Sequence, residues 1–290
     1  MNRMRKLAAF GFAAWLVFSS TALDAGASPA QPASRPPGYL VVESLNVTAP
    51  AGQQTFGSIA CPATAGGAAR VPYSGGVTIN SGSLITNINS SYPSGTEWHA
   101  YVNNASGADV TFDVWAVCGR PKLGYTVITV TGQRLPAGRE SNQPVDCPAG
   151  TKVLGGGALS WSQDLAVNLN ESYPGPFGHP YTWWVDMNNA SAFDTKFDAM
   201  AICSRYPSTG GYVINGVDAT NPAGTQSFAS APCFRPTVPI GGGLVDKNLT
   251  DDLSINLSAT WPVSGGWGAR ENNPSSTDTG FTVYSICAGT

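Results

Sequence analysis

The stretch "WHAYVNNAS" (Trp98–Ser106) returns as "WWVDMNNAS" (Trp183–Ser191) and more loosely as "WGARENNPS" (Trp267–Ser275). Other landmarks keep the same order around it. "PAG" begins at Pro50, Pro136 and Pro222, and Cys61, Cys147 and Cys233 follow with the same step of 86 residues. Next come Ser74-Gly75-Gly76, Gly155-Gly156-Gly157 and Gly241-Gly242-Gly243, then "SYP" at Ser91 and Ser172 with "TWP" at Thr260. Each series closes on "FDVWAVC", "FDAMAIC" or "FTVYSIC", ending at Cys118, Cys203 and Cys287. Shared register across so many landmarks marks an internal repeat. Three copies of about 85 residues are expected at 39–121, 125–207 and 212–290.

Within a copy the periodicity is that of strands. Leu84, Thr86 and Ile88 alternate with polar residues, as do Leu165, Val167 and Leu169, and Leu253, Ile255 and Leu257, the pattern of a half-buried strand. Trp98, Ala100 and Val102 share one face of the next strand, matched by Trp183, Val185 and Met187. The opposite face changes freely from His99 and Tyr101 to Trp184 and Asp186 to Gly268 and Arg270, and is expected to be the wet one. The last strand, with Phe112, Val114 and Ala116 on one side and Trp115 and Val117 on the other, is apolar on both and therefore central. Gly and Pro punctuate the chain with no long stretch of helical period. The expectation is an all-β protein of three pseudo-equivalent, disulfide-stapled sandwich or prism-like modules, strung in tandem or packed about a pseudo-threefold axis.

Six Cys allow fifteen pairings, and three of these respect the repeat. Pairing within each copy (Cys61 with Cys118, Cys147 with Cys203, Cys233 with Cys287) lets each copy close its own core. Zinc is disfavoured, because there is no CxxC and the chain has 2 His. No metal or cofactor is expected.

The N-terminus reads as a positive segment, an apolar run from Leu7 to Phe18 and small residues at Ala25 and Ala27, the order of a secretory signal peptide. Residues 1–27 are expected to be removed, and the Pro/Ala/Ser-rich 28–38 to act as a spacer. The run is shorter than the roughly 20 apolar residues a bilayer span needs, so no stable membrane anchor is expected and the protein should be secreted, to the cell exterior or a periplasm. A net charge of −3 with no basic stripe argues against nucleic acid. Charged residues make up 11% of the chain, so Ser, Thr, Asn and Gly supply the polar surface, which suits neutral hydroxyl-rich partners. The sequence does not specify an oligomeric state.

The Asn pairs read as turn residues after a strand, and the frame Trp residues as core anchors packed over the Gly triplets. N-x-[ST] sequons begin at Asn46, Asn89, Asn104, Asn170, Asn189, Asn248 and Asn256. "DKNLTDD" from Asp246 lacks the calcium-loop spacing and reads as a solvated turn. Copy two departs from its siblings by a longer loop between Pro174 and Trp183, which gathers aromatic side chains. Tyr173, Phe177, His179, Tyr181, Trp184, Asp186 and Asn188 are therefore the candidate ligand-binding residues, since flat aromatic rings stack on sugar faces while Asn and Asp take hydroxyls. The expected function is non-catalytic recognition of extracellular glycan or cell-surface material. The alternatives are a surface-coat protein without a small ligand and a secreted hydrolase using the copy-two loop, with His179 near Glu171.

Overall fold

The computed structural model describes residues 35–175, 179–206, 211–247 and 252–289. Copy one supplies β1 (Leu40–Ala49), β2 (Gln53–Ala60), β3 (Val71–Ile79), β4 (Thr86–Ser94), β5 (Glu97–Asn104) and β6 (Val110–Gly119). Copy two supplies β7 (Thr126–Leu135), β8 (Arg139–Asp146), β9 (Lys152–Ser160), β10 (Val167–Pro174), β11 (Thr182–Asn189) and β12 (Thr195–Ser204). Copy three repeats the set as β13 (Tyr212–Asn221), β14 (Thr225–Pro232), β15 (Val238–Asp246), β16 (Asn256–Val263), β17 (Gly266–Asn273) and β18 (Thr279–Ala288). Disulfides join Cys61 to Cys118, Cys147 to Cys203 and Cys233 to Cys287, all within copies. Covalently closed pairs of this kind belong to oxidising compartments.

The copies are not separate beads. Sheet I runs β2-β5-β4-β9-β12-β7, sheet II β13-β18-β15-β10-β11-β8, and sheet III β1-β6-β3-β16-β17-β14. Each six-stranded sheet thus takes three strands from one copy and three from the next, and the series closes on itself as a three-faced prism. The halves meet through very few register pairs: Ser91 with Ala158, Ser172 with Leu244, and Ala259 and Thr260 with Thr78 and Val77. Neighbouring strands splay there, so hydrogen bonding between copies passes to side chains.

The Asn pairs carry part of it. Asn104, Asn189 and Asn273 hold their own turns: each Oδ1 accepts the backbone N–H and hydroxyl of the Ser two residues on, and each Nδ2 donates to Ala108, Phe193 or Thr277 O. The first Asn does something else. Asn103 donates to Val167 O at 2.8 Å, Asn188 to Ile255 O at 2.8 Å and Asn272 to Thr86 O at 2.9 Å, so copy one grips two, two grips three and three grips one. A second ring runs the other way round, from Tyr39 to Pro239 O, Tyr212 to Val153 O and Tyr125 to Pro72 O at 2.7–2.9 Å. Burial pushes the Tyr39 hydroxyl up to about 12 and raises the other two further, so all three remain donors.

The Gly triplets explain the close approach at the centre. A Cβ on Gly75, Gly156 or Gly242 would lie about 2.3–2.5 Å from the indole of Trp98, Trp183 or Trp267. Each of those Trp side chains is 0–1% exposed, and its Nε1–H donates to Ser91, Ser172 or Thr260, the first residue of the "SYP/TWP" motif. In the first triplet position, a Cβ on Gly155 would meet the Ser74 Cβ at 2.6 Å, so the crowded centre accepts a side chain from one copy only. Ser74 Oγ is buried there without a partner. Ser74→Ala keeps the Cβ and removes the unpaired hydroxyl, and should raise stability by about 1 kcal/mol in a denaturant titration.

Two expectations about faces need correction. β4, β10 and β16 are buried nearly along their whole length rather than on one side, because each lies inside a sheet and beside its siblings from the other copies. Their polar positions are therefore interior. Of the expected sequons, Asn89, Asn104, Asn170, Asn189 and Asn256 are buried, Asn46 is exposed and Asn248 lies outside the described residues. The supposed wet face of β5, β11 and β17 is half-buried under aromatic rings, and Asp186 on it is 9% exposed.

Copy three places a carboxyl in the core. Glu271 occupies the inward position of Val102 and Met187, is fully buried, and accepts from Asn221 Nδ2 at 2.8 Å with Oε2 while Oε1 has no partner. Burial first, and the charge of Asp246 next, push it up to about 9 against the opposing Asn221 bond. A carboxyl raised in the folded state binds its proton more tightly there than in the unfolded chain. Its contribution is thus complete below the unfolded value near 4.5 and is lost as pH rises toward 9. The protein should be less stable at pH 9 than at pH 5 by roughly 2–4 kcal/mol. Glu271→Met with Asn221→Leu, copying the apolar Met187 and Leu135 of copy two, should reduce that difference in denaturant midpoints taken at the two pH values.

Candidate binding face

The outer side of sheet II is built on the β10–β11 hairpin. Tyr173 pairs in register with Trp184, and a bulge at Asn170 brings Glu171 opposite Asp186. The Tyr173 ring stacks on Tyr284 of copy three, with centroids 6.0 Å apart and planes at 17°. Gly216 lies beneath the Tyr284 ring, where a Cβ would stand 3.0 Å from it. Tyr173 and Trp184 are half-buried, each with part of its ring facing solvent.

Below them lies an acid pair. Glu171 and Asp186 are hydrogen-bonded to each other, and Glu171 Oε1 also accepts the Asp246 backbone N–H at 2.9 Å. Burial, then the Asp186 hydrogen bond, then the charges of Asp186, Asp246 and Glu140 hold the Glu171 carboxyl far above its usual range. Asp186 is also raised by burial, and its bond to Glu171 opposes the rise. Both carboxyls are raised by burial, so the pair favours sharing one proton. In copy one the same position is Ser90, whose Oγ accepts the Ser160 N–H at 2.9 Å and donates to Asn89 Oδ1 at 2.8 Å. Glu171 keeps the first role, and the Oδ1 of Asn170 loses its donor.

The candidate residues of copy two do not all converge. Tyr173, Trp184 and Asp186 share the sheet II face. Tyr181 is 43% exposed in the long loop and its hydroxyl lies 3.1 Å from His179 Nδ1. Their main chain is anchored, since Cys147 N–H donates to Tyr181 O and Val153 N–H to Pro180 O. His179 is thus engaged with Tyr181, and Glu171 with Asp186. Phe177 lies outside the described residues. Asn188 is fully buried in the ring between copies, with its amide committed to Ile255 O.

Residues that the sequence did not single out complete the picture. The positions of Tyr173 recur as Tyr92 and Trp261, and each carries an aromatic cluster on its own sheet. On sheet I, the Phe56 ring lies 5.1 Å from both His99 and Tyr101, and Tyr92 lies 5.5 Å from His99. On sheet III, Phe228 lies 5.4 Å from Trp261, and the Arg270 guanidinium sits 5.3 Å from the Trp261 ring. Phe56 and Phe228 are 44% and 53% exposed. The signal was present as Phe56 and Phe228 at equal places in the repeat, but it acquires meaning only when β2, β4 and β5 are side by side.

Among the described residues no group of three or more His, Cys, Asp or Glu is arranged to hold a metal. No protein-family model matches the chain, and no curated protein matches it. Function is accordingly argued from the faces themselves.

Proposed function

We propose that the protein is a secreted, non-catalytic recognition protein that binds extracellular carbohydrate through the outer faces of its sheets, with sheet II as the principal face. The observation that carries this reading is the pair of half-buried rings Tyr173 and Trp184, in register on the β10–β11 hairpin, with Tyr173 backed by the buried Tyr284 ring. Sugar rings present C–H faces that pack on such a platform, and aromatic side chains lose little conformational freedom when they bind. The disulfides and the leader-like N-terminus support action outside the cell. A surface-coat role has no feature of its own to support it. A hydrolase reading would draw on Glu171 and Asp186, yet carboxyls acting on a glycosidic bond stand roughly 5–9.5 Å apart to admit substrate or water, and these two share a hydrogen bond.

The test is a screen on immobilised neutral and acidic oligosaccharides, repeated with Tyr173→Ala plus Trp184→Ala. Binding that disappears in the double variant, with the denaturant midpoint little changed, is the expected result. Binding that survives the double variant would remove sheet II from the reading, and a screen with no binding would remove the reading itself.

A further inference from the structure

The three faces differ in charge at one position of the repeat. Tyr101 on sheet I, Asp186 on sheet II and Arg270 on sheet III occupy equivalent places, opposite Ser90, Glu171 and Ala259. On sheet III the cation has no described counter-charge. Arg270 takes no part in the ion pairs His99–Glu97, Arg134–Asp194 and Lys247–Asp218. Its neighbour Glu271 points inward to Asn221. The only polar side-chain contact described for Arg270 is a 3.3 Å bond to the neutral Gln226 Oε1.

The surface around Arg270 is shaped as well as charged. Gly268 stands where the other copies have His99 and Trp184, and a Cβ on it would lie 2.8 Å from Val263 and 3.0 Å from Phe228. The bare backbone lets Phe228 lean across the strand toward Trp261, so the two rings form one continuous apolar floor, tilted by 36°. Arg270 borders that floor, its guanidinium 5.3 Å from the centre of the Trp261 ring and its backbone opposite Phe228, its register partner on β14. A half-buried guanidinium keeps its charge while losing part of its hydration, which raises the gain from a partner anion.

We infer that the sheet III face is a second saccharide site, selective for sugars that carry a carboxylate, such as uronic acid units, with Phe228 and Trp261 stacking the ring and Arg270 pairing with the carboxylate. This rests on the proposed carbohydrate reading and extends it from one face to two of unlike specificity. Sheet II, with Asp186 and Glu171 beneath its platform, disfavours the same ligand.

Isothermal titration with a galacturonic acid trimer and with the neutral galactose trimer separates the possibilities. Wild type should bind the acid form, and Arg270→Gln should weaken it at least about tenfold, the loss of one charge-assisted pair. Raised salt should weaken the wild-type complex in the same direction. Trp261→Ala should weaken it while Trp184→Ala leaves it unchanged. Equal affinity for the acid trimer in wild type and Arg270→Gln, at matched thermal stability, overturns the assignment. If oligosaccharides bind only through Trp184 and the acid trimer does not bind, the second site is wrong and the sheet II reading stands. If no saccharide binds, both fail.

Discussion

Gly157→Ala is expected to destabilise the protein by about 3–5 kcal/mol, far more than an alanine normally costs in a strand. A Cβ on Gly157 would stand 1.9 Å from the backbone oxygen of Ser91, and the same atom on Gly76 or Gly243 would stand 1.8 Å from the oxygen of Thr260 or Ser172. These are backbone atoms of the facing strand, so no side chain can rotate away. They also lie at the few register pairs that join one copy's half-sheet to the next. The added methyl therefore pushes the two halves of a sheet apart, and the Asn and Tyr rings that close the prism are strained with it. Urea midpoints of the three alanine variants measure this. Similar large losses at all three sites are predicted, whereas alanine at Gly66 or Gly82, with nothing near the added atom, should have little effect.

Trp183→Ala and Trp184→Ala should differ sharply although the residues are adjacent. Trp183 is 1% exposed, lies over Gly156 and donates its indole N–H to Ser172 Oγ at 3.0 Å. Removing it leaves a large cavity and an unpaired hydroxyl, at a cost of about 3–5 kcal/mol. The equivalent losses at Trp98 and Trp267 should be alike. Trp184 faces outward and has no described hydrogen bond, so its truncation should change the denaturant midpoint little.

Much of this was legible before any coordinates. The repeat, the pairing of cysteines within copies, the Trp anchors over glycine and a turn role for the Asn pair, which holds for its second member alone, follow from local spacing, because each concerns residues that meet inside one copy. What the sequence hid are features that arise between copies. Nothing in "NN" distinguishes the Asn that holds its own turn from the one that grips the next copy, since the partner of Asn103 is the backbone of Val167. Alternation at Leu84, Thr86 and Ile88 looked half-buried because the polar side of β4 meets copy two rather than water. The Glu171–Asp186 pair depended on a bulge at Asn170 that shifts register by one residue. The aromatic clusters of sheets I and III are spread over three strands, β2, β4 and β5 or β14, β16 and β17, so no single stretch of sequence displays them, whereas the longer loop of copy two is visible as one run. His179 and Tyr181 came from that loop, while the platform beside it came from the sheet.

Indole N–H resonances test most directly the claim that binding belongs to the outer faces and not to the repeated Trp frame. In the nitrogen-15-labelled protein, the oligosaccharide selected by the screen should shift the Nε1–H signal of Trp184 for a neutral ligand, or of Trp261 for an acidic one. The signals of Trp98, Trp183 and Trp267, buried and bonded to Ser91, Ser172 and Thr260, should stay in place. Shifts at the buried three with Trp184 and Trp261 unmoved would contradict the account.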